Sequence, residues 1–491
     1  MNTPLRRVAL AVMGMIVLLL ANATYIQVVS ADEYRSDPRN RRVLLDEYGR
    51  QRGQLIAGGL PVARSEDTGG QLRFTRTYLD GPLYAPVTGY YSLRYGAGGM
   101  EKAMDSVLNG SDGRLFVRRL SDLITGRDAS GGNVELTVNP MVQQVAYQEL
   151  ISRGYTGSVV AIKPDTGEIL AMVSTPSYDP NRLASHDGAE QEAAWDEYTS
   201  EAGGAALTNR AVRSTYPPGS TFKLVVTAAA VENGKATPDT PLTAAPEIVL
   251  EDTTKALENF EGNSCGSGQT APLTEALVRS CNTAFAQLVT TVGEEDLRQQ
   301  AEALGIGQPD LAIPIQVAPS TLGDIPDVAA LQQSSIGQRD VALTPLQNAM
   351  IAATIANDGV RMEPQLVRTI LAPDLSVLDE FDSEQAERAM SGGTAEQIRD
   401  MMVAAERSYS DEGKINDVRI AAKTGTAEHG ADPKNTPPHA WYVAFAPAEN
   451  PQVAIAVLVE DGGDRSLEAT GGSRAAPIGR AVIGAALQGG Q

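Results

Sequence analysis

The chain has 491 residues, with 40 lysines and arginines against 61 aspartates and glutamates, a formal net charge of −21. With 42 % hydrophobic and 21 % charged residues it has a globular composition, which excludes a disordered polyanion, a collagen-like chain and a polytopic membrane protein. The acidic balance argues against a nucleic-acid partner, and three histidines (His186, His429, His439) with two cysteines (Cys265, Cys281) leave no cysteine zinc cluster to build.

Arg6 and Arg7 precede an apolar run over residues 8–29. As a helix that run spans a hydrocarbon core of about 30 Å. Residues 1–7 then form a cytoplasmic tail, because basic residues lie before the run while Asp32 and Glu33 follow it. Ala21-Asn22-Ala23 also fits a signal-peptidase site, so a cleaved leader is the alternative. The apolar stretch continues through Tyr25, Ile26, Val28 and Val29, which favours an uncleaved anchor. Either way the rest of the chain is exported. In that compartment Cys265 and Cys281 are expected to pair as a disulfide, with two buried thiols as the alternative.

Residues 30–132 read as a smaller module without a strong helical or strand period. It carries Arg39-Asn40-Arg41-Arg42 and Arg52-Gly53, and it closes on the linker-like GRDASGG at 126–132. Residues 133–491 form the larger module. VELTV (134–138) alternates as a strand, and NPMVQQVAYQELISRG (139–154) has helical spacing. SVVAIK (158–163) and EILAMVS (168–174) flank Pro164-Asp165-Thr166-Gly167 as a hairpin. Late in the chain, segments 419–428, 440–447 and 452–461 read as three further strands. About 240 residues of mostly helical signal lie between the two strand groups. Within them Thr344-Pro345-Leu346-Gln347 has the pattern of a capping box, opening a helix that stops at Asn357-Asp358-Gly359. Early and late strands closing one antiparallel sheet around intervening helices make an α+β fold.

Three short patterns occur in order in the larger module: Ser220-Thr221-Phe222-Lys223, Ser280-Cys281-Asn282 and Lys423-Thr424-Gly425. Two of only eight lysines fall inside them. Ser220 opens FKLVVTAAAVENG, which is apolar on every face and therefore a buried helix. Lys223 lies three residues on, on the same face. Burial at the positive end of a helix lowers a lysine pKa, and a neutral amine can take the serine proton. Lys423, Thr424 and Thr426 suit a ligand carboxylate, Gly425 admits a close backbone approach, and the N–H groups of Ser220 and Thr426 suit an oxyanion. His429 and His439 are expected as surface histidines rather than metal ligands, and no cofactor is expected.

The ordered set resembles the serine acyltransferases that recognise penicillin, and the longer match is to class B penicillin-binding proteins of the penicillin-binding protein A type. TGEILAMVSTPSYDPN (166–181), STYPPGSTFK (214–223), SSIGQRDVALTPLQ (334–347), HAWYVAFAP (439–447) and GGSRAAPIG (471–479) carry it. RGQLIA (52–57) and YGAGGMEKAMDSVLNG (95–110) extend it into the first module. There are departures: Cys281 as the middle residue of S-x-N, Asn139 where an aspartate is common, and no acidic or basic residues after Arg52-Gly53-Gln54-Leu55.

The resemblance implies a penicillin-recognising transpeptidase fold, with an antiparallel sheet flanked by helices, an all-helical subdomain and a non-catalytic pedestal module. It implies Ser220 as nucleophile toward stem peptides ending in D-Ala-D-Ala, Lys223 as base, Ser280 as proton relay and Asn282 as holder of the substrate amide. Lys423, Thr424 and Thr426 would bind the carboxylate. β-Lactams would be covalent inhibitors, and a glycan polymerase of the division or elongation machinery a partner. Two rival readings remain: a membrane-anchored serine β-lactamase, although the E-x-x-L-N pattern of a deacylating glutamate is missing, and an idle scaffold of wall synthesis.

Overall fold

The computed structural model describes residues 2–29, 48–70, 72–125, 130–309, 311–430, 432–463 and 467–488. Asp32, Glu33, the basic run 39–42 and linker residues 126–129 lie outside the described residues. Helix α1 (Asn2–Thr24) runs on into a π-helical turn, Tyr25–Val29. Over Thr3–Gln27 its mean hydropathy is 2.1 and none of it is buried in the protein. Among the described residues it is the one helix long and apolar enough to cross a membrane.

The first module contributes strands β1 (Leu55–Ala57), β2 (Leu60–Asp67) and β3 (Phe74–Tyr78). Its interior holds a buried charge cluster. Glu101, fully buried, accepts hydrogen bonds from Arg52 Nε at 2.7 Å and Arg76 Nε at 2.6 Å. Two guanidinium groups against one carboxylate hold Glu101 below the usual carboxylate range despite its burial, which alone would raise it. Arg52 also reaches Asp105 at 2.6 Å, so the short RGQL segment is tied into its module through the arginine.

The larger module begins with β4 (Asn133–Leu136), α2 (Pro140–Ile151) and the hairpin β5 (Gly157–Ile162) and β6 (Ile169–Thr175). Next come the helices α3 (Lys223–Glu232), α4 (Asn282–Val292) and α5 (Pro345–Ala356). A second hairpin, β7 (Val367–Leu371) and β8 (Val377–Glu380), precedes α6 (Gly392–Ser408). Strands β9 (Ala421–Ala427), β10 (His439–Ala446) and β11 (Val453–Val459) and helix α7 (Ala476–Gln488) complete it.

Strands β9-β10-β11-β5-β6 form one antiparallel sheet in that order, so early and late strands do close on each other. The sheet is buried on both faces. Val159, Ala161, Val457 and Tyr442 pack under α2 and α7. Val160, Ile162, Ala456 and Phe445 face the core that contains α3 and α5. This alternation is the period-two pattern of a strand. A second sheet was not foreseen: β8-β7-β4-β1-β2-β3 joins strands of both modules, with β1 pairing parallel to β4 and β7 antiparallel to it.

The expected cap at Thr344 is half present. Its hydroxyl accepts from Gln347 N at 3.0 Å, but the Gln347 amide donates to Leu304 O at 2.8 Å instead of returning to the cap. Gln347 is fully buried and Leu304 offers an otherwise inaccessible carbonyl, so the tertiary partner wins over the local one.

Candidate active site

Ser220 lies in a 3-10 turn, Gly219–Phe222, that feeds directly into α3. Every residue of α3 from Lys223 to Ala230 is buried. The turn is pressed onto β9 and β10 by small residues. Gly219 has φ +53, and a side chain on it would stand 2.8 Å from Thr426 O. A side chain on Gly425 would stand 2.8 Å from Pro218 O. Trp441 Nε1 donates to Pro217 O at 3.0 Å, and Gly219 N to Gly337 O at 3.0 Å. The glycine of the Lys-Thr-Gly pattern therefore lets the serine turn reach the strand.

Ser280 has φ +59, in the left-handed region, immediately before α4. Cys281, not Ser280, is the N-cap residue of that helix, and it forms a disulfide with Cys265, Cα–Cα 5.7 Å. The bridge ties the Ser280–Asn282 turn to the loop before it.

The three patterns converge in one hydrogen-bonded cluster. Lys223 Nζ lies 3.0 Å from Ser220 Oγ, 2.7 Å from Ser280 O, 2.8 Å from Asn282 Oδ1 and 3.3 Å from Ser280 Oγ. Lys423 Nζ donates to Ser280 Oγ at 2.9 Å and to Thr424 O at 2.9 Å. Both lysines are fully buried. Burial, and then the neighbouring Lys423, push Lys223 well below an ordinary lysine. Burial pushes Lys423 down to about 7. Among the described residues no carboxylate is hydrogen-bonded to either amine, so nothing holds the charge in place as an ion pair would.

For a neutral Lys223 these distances assign the protons. A neutral amine has two N–H groups and one lone pair. The two carbonyl-type oxygens, Ser280 O and Asn282 Oδ1, can only accept, so they take the two N–H groups. The lone pair is then left for the Ser220 hydroxyl. Asn282 is engaged on its other side too, since its Nδ2 donates to Glu258 O at 2.9 Å. Its side chain is thus a built part of the site before any substrate arrives.

Two contributors were not singled out as site residues. Thr424 N donates to Tyr409 Oη at 3.2 Å, and the Gln338 side-chain amide pairs with both backbone groups of Glu428, at 3.1 and 3.2 Å. Tyr409 stands alone after α6 and Gln338 within SSIGQ, neither in a spacing that marks chemistry.

The histidines need correction. His439 is buried rather than at the surface, with its ring stacked on His429, centroids 3.7 Å apart and planes 5° from parallel. Burial and His429 push its imidazole down to about 3. Asp461 Oδ1 lies 3.0 Å from His429 Nε2, and the three side chains could be imagined around an ion. A ligated metal lies in the imidazole plane, and two stacked rings do not share one. His429 Nε2 also meets Pro437 O at 2.9 Å, and His439 Nδ1 accepts from Asp461 N at 3.3 Å. The group is a hydrogen-bonded clasp on the loop between β9 and β10.

Residues 157–484 match the penicillin binding protein transpeptidase domain, and residues 52–134 the penicillin binding protein A dimerisation domain. The chain belongs to the penicillin-binding protein transpeptidases. This D,D-transpeptidase is 58 % identical over 491 residues to the peptidoglycan D,D-transpeptidase PbpA of Mycolicibacterium smegmatis, covering 99 % of each chain. It is 56 % identical to PbpA of Mycobacterium tuberculosis, covering 100 % of each. The solved ceftriaxone acyl-enzyme of penicillin-binding protein A from M. tuberculosis superposes with a TM-score of 0.89 at 55 % identity, covering 91 % of the transpeptidase and 100 % of that structure. The penicillin G acyl-enzyme of the same protein gives 0.86 at 54 %, covering 89 % and 100 %.

Proposed function

We propose that Ser220 is the nucleophile by which this transpeptidase cross-links peptidoglycan stems ending in D-Ala-D-Ala. The observation that carries the reading is the partnering of Lys223: two carbonyl-type acceptors occupy its N–H groups and leave its lone pair for Ser220. Lys223 Nζ takes the Oγ proton as the Oγ–C bond forms at the penultimate D-Ala carbonyl. The oxyanion is held by the N–H groups of Ser220 and Thr426. As the C–N bond breaks, the proton passes from Lys223 through Ser280 Oγ, 3.3 Å away, to the leaving D-Ala amine. Lys423, Thr424 and Thr426 hold the terminal carboxylate, while Asn282 keeps Lys223 aimed and holds the substrate amide. An amine of a neighbouring stem then attacks the ester, its proton returns by the same route, and Ser220 is regenerated. A β-lactam presents a similar carboxylate and amide, and its adduct stays on Ser220.

The same reading anchors the chain in the cell membrane through residues 8–29, with residues 1–7 cytoplasmic and both modules outside. The first module, residues 30–132, is a pedestal facing a partner glycan polymerase, and residues 133–491 are catalytic. The test uses the full chain in detergent. Wild type should gain the mass of one fluorescent penicillin on the peptide bearing Ser220, and Ser220→Ala should gain none. A Ser220→Ala protein that still labels removes Ser220 as nucleophile.

A further inference from the structure

Strand β9 is the outer strand of its sheet, so one edge of its backbone has no strand neighbour. Along an antiparallel strand the N–H and C=O of alternate residues point to the same side. Thr424 points outward, because its N–H meets Tyr409 and its C=O meets Lys423. Ala422, Thr426 and Glu428 share that side. Ala422 is fully buried. Thr424 is occupied by the phenol oxygen and the Lys423 ammonium, and Glu428 by the Gln338 amide acting as a one-residue strand. Thr426, half-exposed and beside the Ser220 turn, is the position whose backbone N–H and C=O meet neither stopper.

The stopper at Thr424 is held rigidly. Tyr409 N donates to Glu406 O at 3.2 Å. Glu406 accepts from the fully buried Arg480 Nε at 2.7 Å and from Tyr442 Oη at 3.1 Å. Arg480 Nη1 also donates to Ser410 O at 2.8 Å, which fixes the backbone on the far side of Tyr409. The backbone that carries the phenol is thus fixed on both sides, and the phenol oxygen is held by Thr424 N.

We propose that Tyr409 and Gln338 are positioning residues that set the register of the donor peptide, by closing the outer edge of β9 on both sides of Thr426. This rests on the reading of Ser220 as nucleophile. An extended stem peptide adds to a free β edge through alternate N–H and C=O groups. Pairing at Thr424 or Glu428 instead of Thr426 keeps the same faces but moves the peptide by two residues, about 7 Å. A scissile carbonyl displaced that far is out of reach of Ser220. With the neighbouring positions consumed, only the productive register pairs. A penicillin nucleus is too short to gain from a slipped register, so the stoppers act on linear donors and not on β-lactams.

The test compares the full chain with Tyr409→Ala, which uncovers Thr424 N–H, and with Gln338→Ala, which uncovers Glu428. The probes are a linear N-acyl-D-Ala-D-lactate depsipeptide and benzylpenicillin, with acyl-enzyme formation followed by mass. Slipped complexes bind without reacting. One gained edge hydrogen bond favours them about five- to tenfold, so the limiting acylation rate by the depsipeptide and its half-saturating concentration should fall together by that factor. Benzylpenicillin acylation should stay within about twofold. Gln338 is half-buried in a separate loop and decides the matter even if Tyr409→Ala does not fold. Equal losses with both probes would make these residues props of the fold and overturn the proposal, as would no change with either. Wild type that penicillin leaves unlabelled at Ser220 would instead remove the nucleophile assignment beneath it.

Discussion

Removing the charge of Lys423 should change the pH dependence of acylation and not only its rate. Lys423 and Lys223 share Ser280 Oγ as a partner, at 2.9 and 3.3 Å. Their ammonium groups are therefore no more than about 6 Å apart, and at an effective dielectric near 20 two such charges repel by about 3 kcal/mol. That corresponds to about two pKa units. Pushed down to about 7 by burial, Lys423 carries charge below neutrality, and that charge adds to burial in holding Lys223 well below an ordinary lysine. The sign follows from what each lysine must do. In the proposed mechanism acylation needs Lys223 neutral, so the rate is expected to rise with pH through the pKa of Lys223. Lys423→Met removes the repulsion, raises that pKa and moves the rising limb to higher pH by as much as about two units. The assay is the second-order rate of acylation by a fluorescent penicillin from pH 5 to 10, normalised to its own maximum so that the loss of a carboxylate contact drops out. A rising limb that stays at the wild-type pH would refute the idea that Lys423 keeps Lys223 neutral.

Among the described residues no carboxylate is hydrogen-bonded to Ser220, Lys223, Ser280 or Lys423, so no glutamate or aspartate is tied into the cluster as a base for a deacylating water. The penicillin adduct should persist for many minutes, and brisk turnover of a chromogenic cephalosporin would move the chain to the β-lactamases. The Cys265–Cys281 bridge closes a loop of about 15 residues, for which chain entropy gives about 3 kcal/mol. Intact mass should rise by two protons on reduction, with a lower Tm and slower acylation through the loosened Ser280–Asn282 turn; an unchanged mass would deny the bridge. Glu101→Ala leaves two buried guanidinium groups facing each other and should cost about 3–5 kcal/mol in thermal or urea unfolding. A loss below about 1 kcal/mol would mean that water reaches the cluster.

The candidate cluster was legible because its central piece is local. Ser220 and Lys223 are one helical turn apart in a segment too apolar to be at a surface, and that settles their mutual reach without knowledge of the fold. The strands around β5, β6, β9, β10 and β11 were legible for a similar reason, since each is a short apolar run bounded by turn residues. What escaped depends on partners far apart in sequence. Gln347 looked like half of a capping box until Leu304 claimed its amide. The hydrogen bond from Asn282 Nδ2 to Glu258 O, which fixes that side chain in the site, has a partner 24 residues away. His429 and His439 looked like loop residues, because stacking across the ends of two strands leaves no trace in spacing. The mixed sheet was the largest omission. β4 was readable as a strand, but its neighbours β1 and β7 come from opposite ends of the chain. Nonlocal pairing of that kind has no short-range signature.

That mixed sheet also limits how the molecule can be dissected. A cut at the linker, the obvious place to excise a soluble catalytic half, would strip β1 from β4 and leave a buried row of amides and carbonyls facing solvent. Bare strand margins of that sort invite adhesion between molecules. Fragments beginning after residue 132 should therefore clump, whereas truncation just beyond the N-terminal apolar helix keeps all six strands together.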